Sequence, residues 1–288
     1  MFKKIYLEIT NCCNLACSFC AGTRREKHFL TLAEFDLLAS RLVGFTKFLY
    51  FHVMGEPLLH PLLPDFLSRA DQLGFRVILT TNGILLPACH DVLLDAPALH
   101  KVNVSLHAPE ANQTMAIALP DYVDGCAHFA AVAARAGKLC SLRLWNLDGT
   151  DTRGENTLNG TILERLHAVF ADPWTENTHG WRLRDRVFLE WGERFQWPDL
   201  TAEDHGEAGF CMGLRDQLAV LCDGTVVPCC LDHEGDLALG NLYEAELQTI
   251  LDGQEAREIY AGFSARKRTR ELCRRCGYSQ RFQEKRGT

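Results

Sequence analysis

Cys13, Cys17 and Cys20 stand in one short stretch, Ile9-Thr-Asn-Cys-Cys-Asn-Leu-Ala-Cys-Ser-Phe-Cys20, at spacing C-x3-C-x2-C. Thiolates are the ligands of iron–sulfur clusters, and a four-iron cube has four corners to fill. A loop that supplies three thiolates leaves one iron without a protein ligand. An open coordination position is where a metal centre does chemistry, whereas a closed one is structural. Structural zinc is the competing reading of cysteines two residues apart. Zinc would want a fourth ligand, and Cys12 is at hand. Adjacent cysteines rarely reach one metal together, so Cys12 reads as a bystander and the cluster is favoured.

A second group of cysteines lies far along the chain. Cys211 is followed by Gly224-Thr-Val-Val-Pro-Cys229 and then by Cys273-Arg-Arg-Cys276. Cys89, Cys126, Cys140 and Cys222 read as core residues, since buried free cysteine is common.

The trio resembles the signature loop of the radical S-adenosylmethionine (radical SAM) superfamily, C-x3-C-x-φ-C, with Phe19 as the aromatic φ. The resemblance implies that SAM chelates the fourth iron of a [4Fe-4S] cluster on Cys13, Cys17 and Cys20. It also implies reductive cleavage of SAM to a 5'-deoxyadenosyl radical that abstracts hydrogen from a substrate. Four weaker motifs follow successive strand candidates. Met54-Gly-Glu-Pro57 is similar to the family's Gly-Gly-Glu-Pro and puts Gly55 and Glu56 at the SAM ammonium; Met54 in place of the first glycine is a departure. Thr80-Thr-Asn-Gly83 puts Asn82 near the methionine moiety. Ser105 is similar to the family's SAM-contacting serine, and Arg143 to its carboxylate clamp, where a guanidinium makes two parallel bonds. His107 reads as a satisfied strand-end histidine, and neither His52 nor His60 as a ligand. The C-terminal cysteines, with Leu239-Gly-Asn-Leu242, resemble the twitch and SPASM extensions of that superfamily. The resemblance implies that Cys211, Cys229, Cys273 and Cys276 together could fill all four corners of one auxiliary [4Fe-4S] cluster, with Cys230 as the alternative to Cys229; zinc would accept the same set. No cysteine follows Cys276, which favours a twitch-like or truncated SPASM form with one auxiliary cluster, hence two [4Fe-4S] clusters in all. Asp232 is a candidate proton acceptor beside it.

These residues need elements to position them. Strand-like runs at Ile5–Ile9, Phe48–Val53, Val77–Thr81, Val102–Leu106, Leu142–Leu147 and Val187–Glu190 alternate with helical stretches. The first helix opens on a capping box, Thr31-Leu-Ala-Glu34, with Phe35, Leu37, Leu38 and Leu42 as its apolar face. Others are expected at Pro64–Leu73, Asp121–Gly137 and Thr161–Phe170. Alternation of this kind predicts βα units on a parallel sheet. The class is α/β: a partial (β/α)6 barrel of the radical SAM type over 1–202, with a small α+β iron–sulfur extension over 203–288. Residues Asp148 to Asn159 read as a loop. Asp223-Gly224 reads as a hairpin turn between Gln217–Cys222 and Thr225–Pro228.

Composition bounds the rest. Hydrophobic content of 47% and charged content of 23% are those of a globular protein with a core. No run reaches membrane-span length, and the N-terminus lacks a signal-peptide core. Thirteen cysteines without a secretion signal argue for metal and reduced thiols in the cytoplasm. A net charge of -7 gives no general case for nucleic acid, which is possible but not favoured. Arg266-Lys-Arg-Thr-Arg270, Arg274, Arg275, Arg281, Lys285 and Arg286 form a basic tail. It reads as a solvated face, as a dock for an acidic electron donor such as flavodoxin or ferredoxin, or as a contact for an anionic substrate. The resemblance implies a peptide, protein side chain or small molecule as substrate. A nucleoside or RNA is the alternative, and a non-enzymatic redox-sensing or metal-binding cysteine protein is the reading from another class.

Overall fold

The computed structural model describes residues 1–112, 115–147 and 156–282. The elements run β1 (Lys4–Leu7), α1 (Leu32–Ser40), β2 (Phe48–Phe51), α2 (Leu63–Gln72), β3 (Arg76–Thr81), α3 (Leu86–Asp95), β4 (Leu99–Ser105), α4 (Leu119–Arg135), β5 (Leu139–Leu147) and α5 (Asn159–Val169). They continue as β6 (Thr175–Asn177), β7 (Gly180–Arg184), β8 (Val187–Glu193), β9 (Gln217–Val220), β10 (Thr225–Val227), β11 (Gly240–Asn241), α6 (Leu247–Leu251), α7 (Gln254–Ser264) and α8 (Glu271–Arg274). One sheet holds every strand, in the order β11-β10-β9-β1-β2-β3-β4-β5-β8-β7-β6. From β1 to β5 and on to β8 each pair is parallel. All six expected strands form, and the α/β class holds.

The strands alternate in a way fully covered parallel strands do not. Ile5, Leu7, Leu49, Phe51, Val77, Leu79, Val102 and Val104 are buried against the helices. Their neighbours on the other face are polar: Tyr6, Tyr50, Thr80, Asn103, Ser141, Arg143 and Glu190. That face is curled. A flat sheet with strands about 4.8 Å apart would hold β1 and β5 about 19 Å from each other. Yet burial and then the charge of Arg143 on β5 lower the pKa of Lys4 on β1, and with Lys4 they push His52 down to about 4. The polar face therefore closes around a shared lumen.

Helix α1 begins as expected: Thr31 Oγ1 accepts from Glu34 N–H, and Glu34 Oε2 accepts from Thr31 N–H at 2.6 Å. Phe35 stacks on Phe66 of α2 with ring centroids 4.3 Å apart and meets Phe51 of β2 edge-on. Leu37, expected on the apolar face, is exposed; two residues from Phe35, it lies off the buried stripe. Helix α3 and the antiparallel ribbon β6–β7 were not expected. Most of the loop expected at 148–159 lies outside the described residues, and Asn159 already belongs to α5.

The hairpin β9–β10 forms around Asp223-Gly224, with Thr225 N–H donating to Asp223 Oδ1 at 3.0 Å. Its strand β9 pairs parallel with β1, Ile5 opposite Leu218, so the extension continues the barrel sheet from its β1 edge. The basic tail is largely spent inside this extension. Arg270 pairs with Glu255 and Glu258, Arg274 with Asp204, Arg275 with Glu271, and Arg268 is buried. That corrects the solvated-face reading for Arg268 alone; Arg270, Arg274 and Arg275 form ion pairs at the surface, Arg266 and Lys267 are exposed, and Lys285 and Arg286 lie outside the described residues.

Candidate functional site

The trio sits on a loop that leaves the C-terminal end of β1 and returns to α1. Its neck is tied by Leu30 N–H to Ile9 O at 3.0 Å, and Asn11 Oδ1 accepts from His28 N–H at 2.9 Å. Above the neck, Cys13 and Cys20 are exposed and Cys17 is half-buried. Each sulfur accepts an N–H: Cys17 from Asn112 Nδ2 at 3.0 Å, Cys20 from Gly22 at 3.4 Å, Cys13 from Leu15 at 3.5 Å. Burial pushes the Cys17 thiol up to about 11, Asn112 opposes this, and the charges of Cys20 and Cys13 add to it. The three thiols thus feel one another. Cys12 faces the neck instead, its sulfur 4.0 Å from His28 O. Among the described residues no three His, Cys, Asp or Glu side chains converge on one ion-sized point. A cube asks for something different, because each thiolate takes its own iron.

The β2 loop packs directly onto this one. Glu56 N–H donates to Cys12 O at 2.8 Å. Gly55 has φ +76°, and a Cβ there would lie 2.5 Å from Thr10 O, so only glycine permits the approach. Met54 is buried with its sulfur 4.0 Å from Cys20 Sγ. Glu56 is buried; its Oε1 accepts from Leu58 N–H at 3.0 Å and its Oε2 from Asn82 N–H at 2.7 Å. No cationic side chain of the described residues pairs with it. Burial pushes its carboxyl up to about 7 against the pull of those N–H donors. Asn82 also donates from Nδ2 to Asn14 Oδ1 of the cysteine loop at 2.8 Å.

Phe19 lies over His107, ring centroids 4.7 Å apart, and His107 Nδ1 sits 3.1 Å from Arg143 O. Ser105 ends β4 beside Arg143 of β5. The Arg143 side chain is engaged: Nε donates to Glu190 Oε2 at 2.9 Å, and the guanidinium covers Trp145. Burial would raise the Glu190 carboxyl, but Arg143 and Lys101 hold it down at about 2.

In the extension, Cys211, Cys229, Cys273 and Cys276 line one pocket, along with Asp232 and Arg268. Burial lifts the Cys229 thiol well above its usual range, and the other cysteines add to the lift; Cys276 rises to about 11. Four buried thiols of this kind ionise when a metal claims them. Cys230 does not line the pocket and packs with Tyr6, Val53 and Met54 on the lumen side. Asp232 accepts from Asp236 N–H and Leu237 N–H, both at 2.9 Å, and so holds its own loop; burial pushes its carboxyl up to about 6.

Comparison with known proteins decides the family. The profile of the radical SAM superfamily matches residues 7–125, and that of SPASM, an iron–sulfur cluster-binding domain, matches residues 211–277. The chain belongs to the radical SAM superfamily. It is an enzyme of that superfamily with a SPASM extension, and its cofactors are SAM and [4Fe-4S] clusters. The tungsten-containing aldehyde ferredoxin oxidoreductase cofactor-modifying protein of Pyrococcus furiosus is 36% identical over 89 residues, 29% of this chain and 25% of that protein. A GTP 3',8-cyclase of Chlorobaculum tepidum is 34% identical over 108 residues, 35% of this chain and 32% of that one. The matches thus span about a quarter to a third of these relatives. Among solved structures, BtrN in complex with AdoMet and 2-DOIA has TM-score 0.58 at 18% identity, covering 96% of this chain and 93% of that one. SuiB of Streptococcus suis has TM-score 0.61 at 14% identity, covering 99% and 75%. Both share the fold.

Two groups at this candidate site escaped sequence reasoning. Asn112 has no motif around it. The Glu8–Arg25 pair is buried: Arg25 donates to Glu8 Oε1 at 2.7 Å, and Glu8 also accepts from Met54 N–H and Cys222 N–H. Its one signal was an acid inside the apolar strand run Ile5–Ile9.

Proposed function

We propose that this enzyme cleaves SAM reductively at the Cys13–Cys17–Cys20 loop and uses the resulting radical to modify a carbon of a peptide, protein side chain or small molecule. The observation that carries this is the pairing of three N–H-supported thiols with a buried, cation-less carboxylate on the adjoining loop. When bound, the cluster supplies one electron and SAM supplies a 5'-deoxyadenosyl radical.

Cys13, Cys17 and Cys20 hold three irons, and their N–H donors favour the thiolate form. Glu56 holds the SAM ammonium: a charge-assisted hydrogen bond to a cation keeps the carboxylate ionised where burial alone would protonate it. Gly55 offers backbone at the same point, and Asn82 fixes that loop against the cysteines through Asn14. Phe19, Ser105 and Arg143 bound the rest of the SAM site, with Glu190 holding the Arg143 side chain in the lumen. Cys211, Cys229, Cys273 and Cys276 would hold an auxiliary [4Fe-4S] cluster, which would supply electron-transfer chemistry beside the substrate. A flavodoxin- or ferredoxin-type donor supplies the first electron.

A nucleoside or other anionic substrate is the second reading. It is favoured by Lys4 on the lumen side and less by the basic tail, where Arg270, Arg274 and Arg275 are paired with carboxylates. The deciding experiment is anaerobic reconstitution, an iron count and a dithionite-driven SAM-cleavage assay. Two four-iron clusters give about eight irons per chain. Absence of 5'-deoxyadenosine from the fully loaded protein overturns the proposal.

A further inference from the structure

Arg268 stands out among the buried residues. Its side chain has no exposed surface, although arginine is almost never fully buried unless paired. Its terminal nitrogens donate to Ser279 Oγ at 2.9 Å, His205 O at 3.0 Å and Ala208 O at 2.6 Å. All three acceptors are neutral. No carboxylate of the described residues comes within ion-pair distance, and the buried Nε–H has no hydrogen-bond partner. A buried cation with neutral acceptors and one orphaned donor lacks its counter-charge.

The missing charge has a place to be. Arg268 lines the pocket that Cys211, Cys229, Cys273 and Cys276 also line. The guanidinium is pressed flat onto Gly209, where a Cβ would lie 2.7 Å from Nε and 3.0 Å from Cζ. The backbone was left bare for it. Four thiolates around a [4Fe-4S] core carry two net negative charges, and three after the core gains one electron.

We infer that Arg268 is the counter-ion of the auxiliary cluster and raises its reduction potential, making it the better electron acceptor. A fixed positive charge in a dry site favours the more negative, reduced form more than the oxidised one. This rests on the proposed four-thiolate cluster. Arg268 acts on the cluster and not on substrate, so it is a positioning residue.

The test is a redox titration followed by electron paramagnetic resonance. It is run on the full chain carrying Cys13, Cys17 and Cys20→Ala, so that the auxiliary centre alone is read. Arg268→Met should shift the reduction equilibrium at least tenfold toward the oxidised form, about 59 mV for one electron. Arg268→Lys should recover most of the shift, which a purely structural role would not require. An unchanged potential in a loaded Arg268→Met protein overturns the inference. If that variant takes up no cluster, Gly209→Ala is read in its place. It displaces the guanidinium without removing it and should shift the equilibrium in the same direction; no shift overturns the inference. A parent protein with no reducible centre at the quartet overturns the cluster reading itself, an outcome separate from the Arg268 result.

Discussion

The two cysteine groups are built on opposite principles. The N-terminal trio is held up at the end of a strand, two of its thiols exposed, with N–H donors on every sulfur. The C-terminal quartet lies in a pocket with a buried arginine against it. On the proposed function, three sulfurs, two of them exposed, would leave room for a ligand on the metal, and four sulfurs lining one pocket would leave none. On the same reading, the difference would separate a centre that meets a small molecule from one that passes charge.

The contrast breaks most sharply if the two groups can be exchanged in function. Replacing Cys13, Cys17 and Cys20 by alanine should abolish 5'-deoxyadenosine and leave about half of about eight irons, whereas Cys273→Ala with Cys276→Ala should remove the other half and spare SAM cleavage uncoupled from product. Iron analysis with a cleavage assay reads both, and equal loss of cleavage in the two variants would erase the distinction.

The join between the regions comes next. Glu8 gathers Arg25, Met54 N–H and Cys222 N–H, and Arg25 also donates to His233 O at 2.8 Å. Arg25→Met strands a buried carboxylate and should cost about 3–5 kcal/mol in chemical unfolding of the anaerobic protein. A loss under 1 kcal/mol, on the scale of about 0–1 for surface pairs, would show the join to be incidental.

A smaller effect sharpens the open side. Glu56→Gln should weaken SAM binding about 10- to 100-fold, following the ~1.5–3 kcal/mol of a hydrogen bond to a charged group. Burial raises this carboxyl to about 7, so the ionised form that binds a cation is lost as pH falls through that value. Wild-type affinity for SAM should fall accordingly below neutrality, and the Gln variant should show no such slope in calorimetric titrations. Smallest of all, Asn112→Ala removes the donor to Cys17 and should cost about 1 kcal/mol of stability. Loss of the whole cluster from that variant would mean the trio depends on its donors more than a single hydrogen bond allows.

Much of this architecture is legible in the amino-acid sequence. Short apolar strand-like runs alternating with helical stretches locate all six parallel strands, because strand and helix write different apolar patterns into the sequence. Thr31 and Glu34 announce a helix start because capping is local chemistry. The resemblance to the twitch and SPASM extensions groups Cys211, Cys229, Cys273 and Cys276, with Cys230 left as an alternative to Cys229. What escapes is long-range. Nothing in Gln217–Val220 says that it pairs with β1. Arg268 looks like one more charge in a basic run, and only packing distinguishes it from Arg270. Helix α3 is hidden because Leu86-Pro-Ala-Cys-His-Asp carries too weak an apolar stripe, with only Leu86 and Leu93 buried.

The ladder between β1 and β9 has a mechanical meaning. Cys13 follows the first of these strands and Cys229 the hairpin of the second, and backbone hydrogen bonds rivet the strands side by side. Both cysteine groups therefore ride on a single girder. On the proposed function, a charge hop between them would cross a gap that this ladder helps to set.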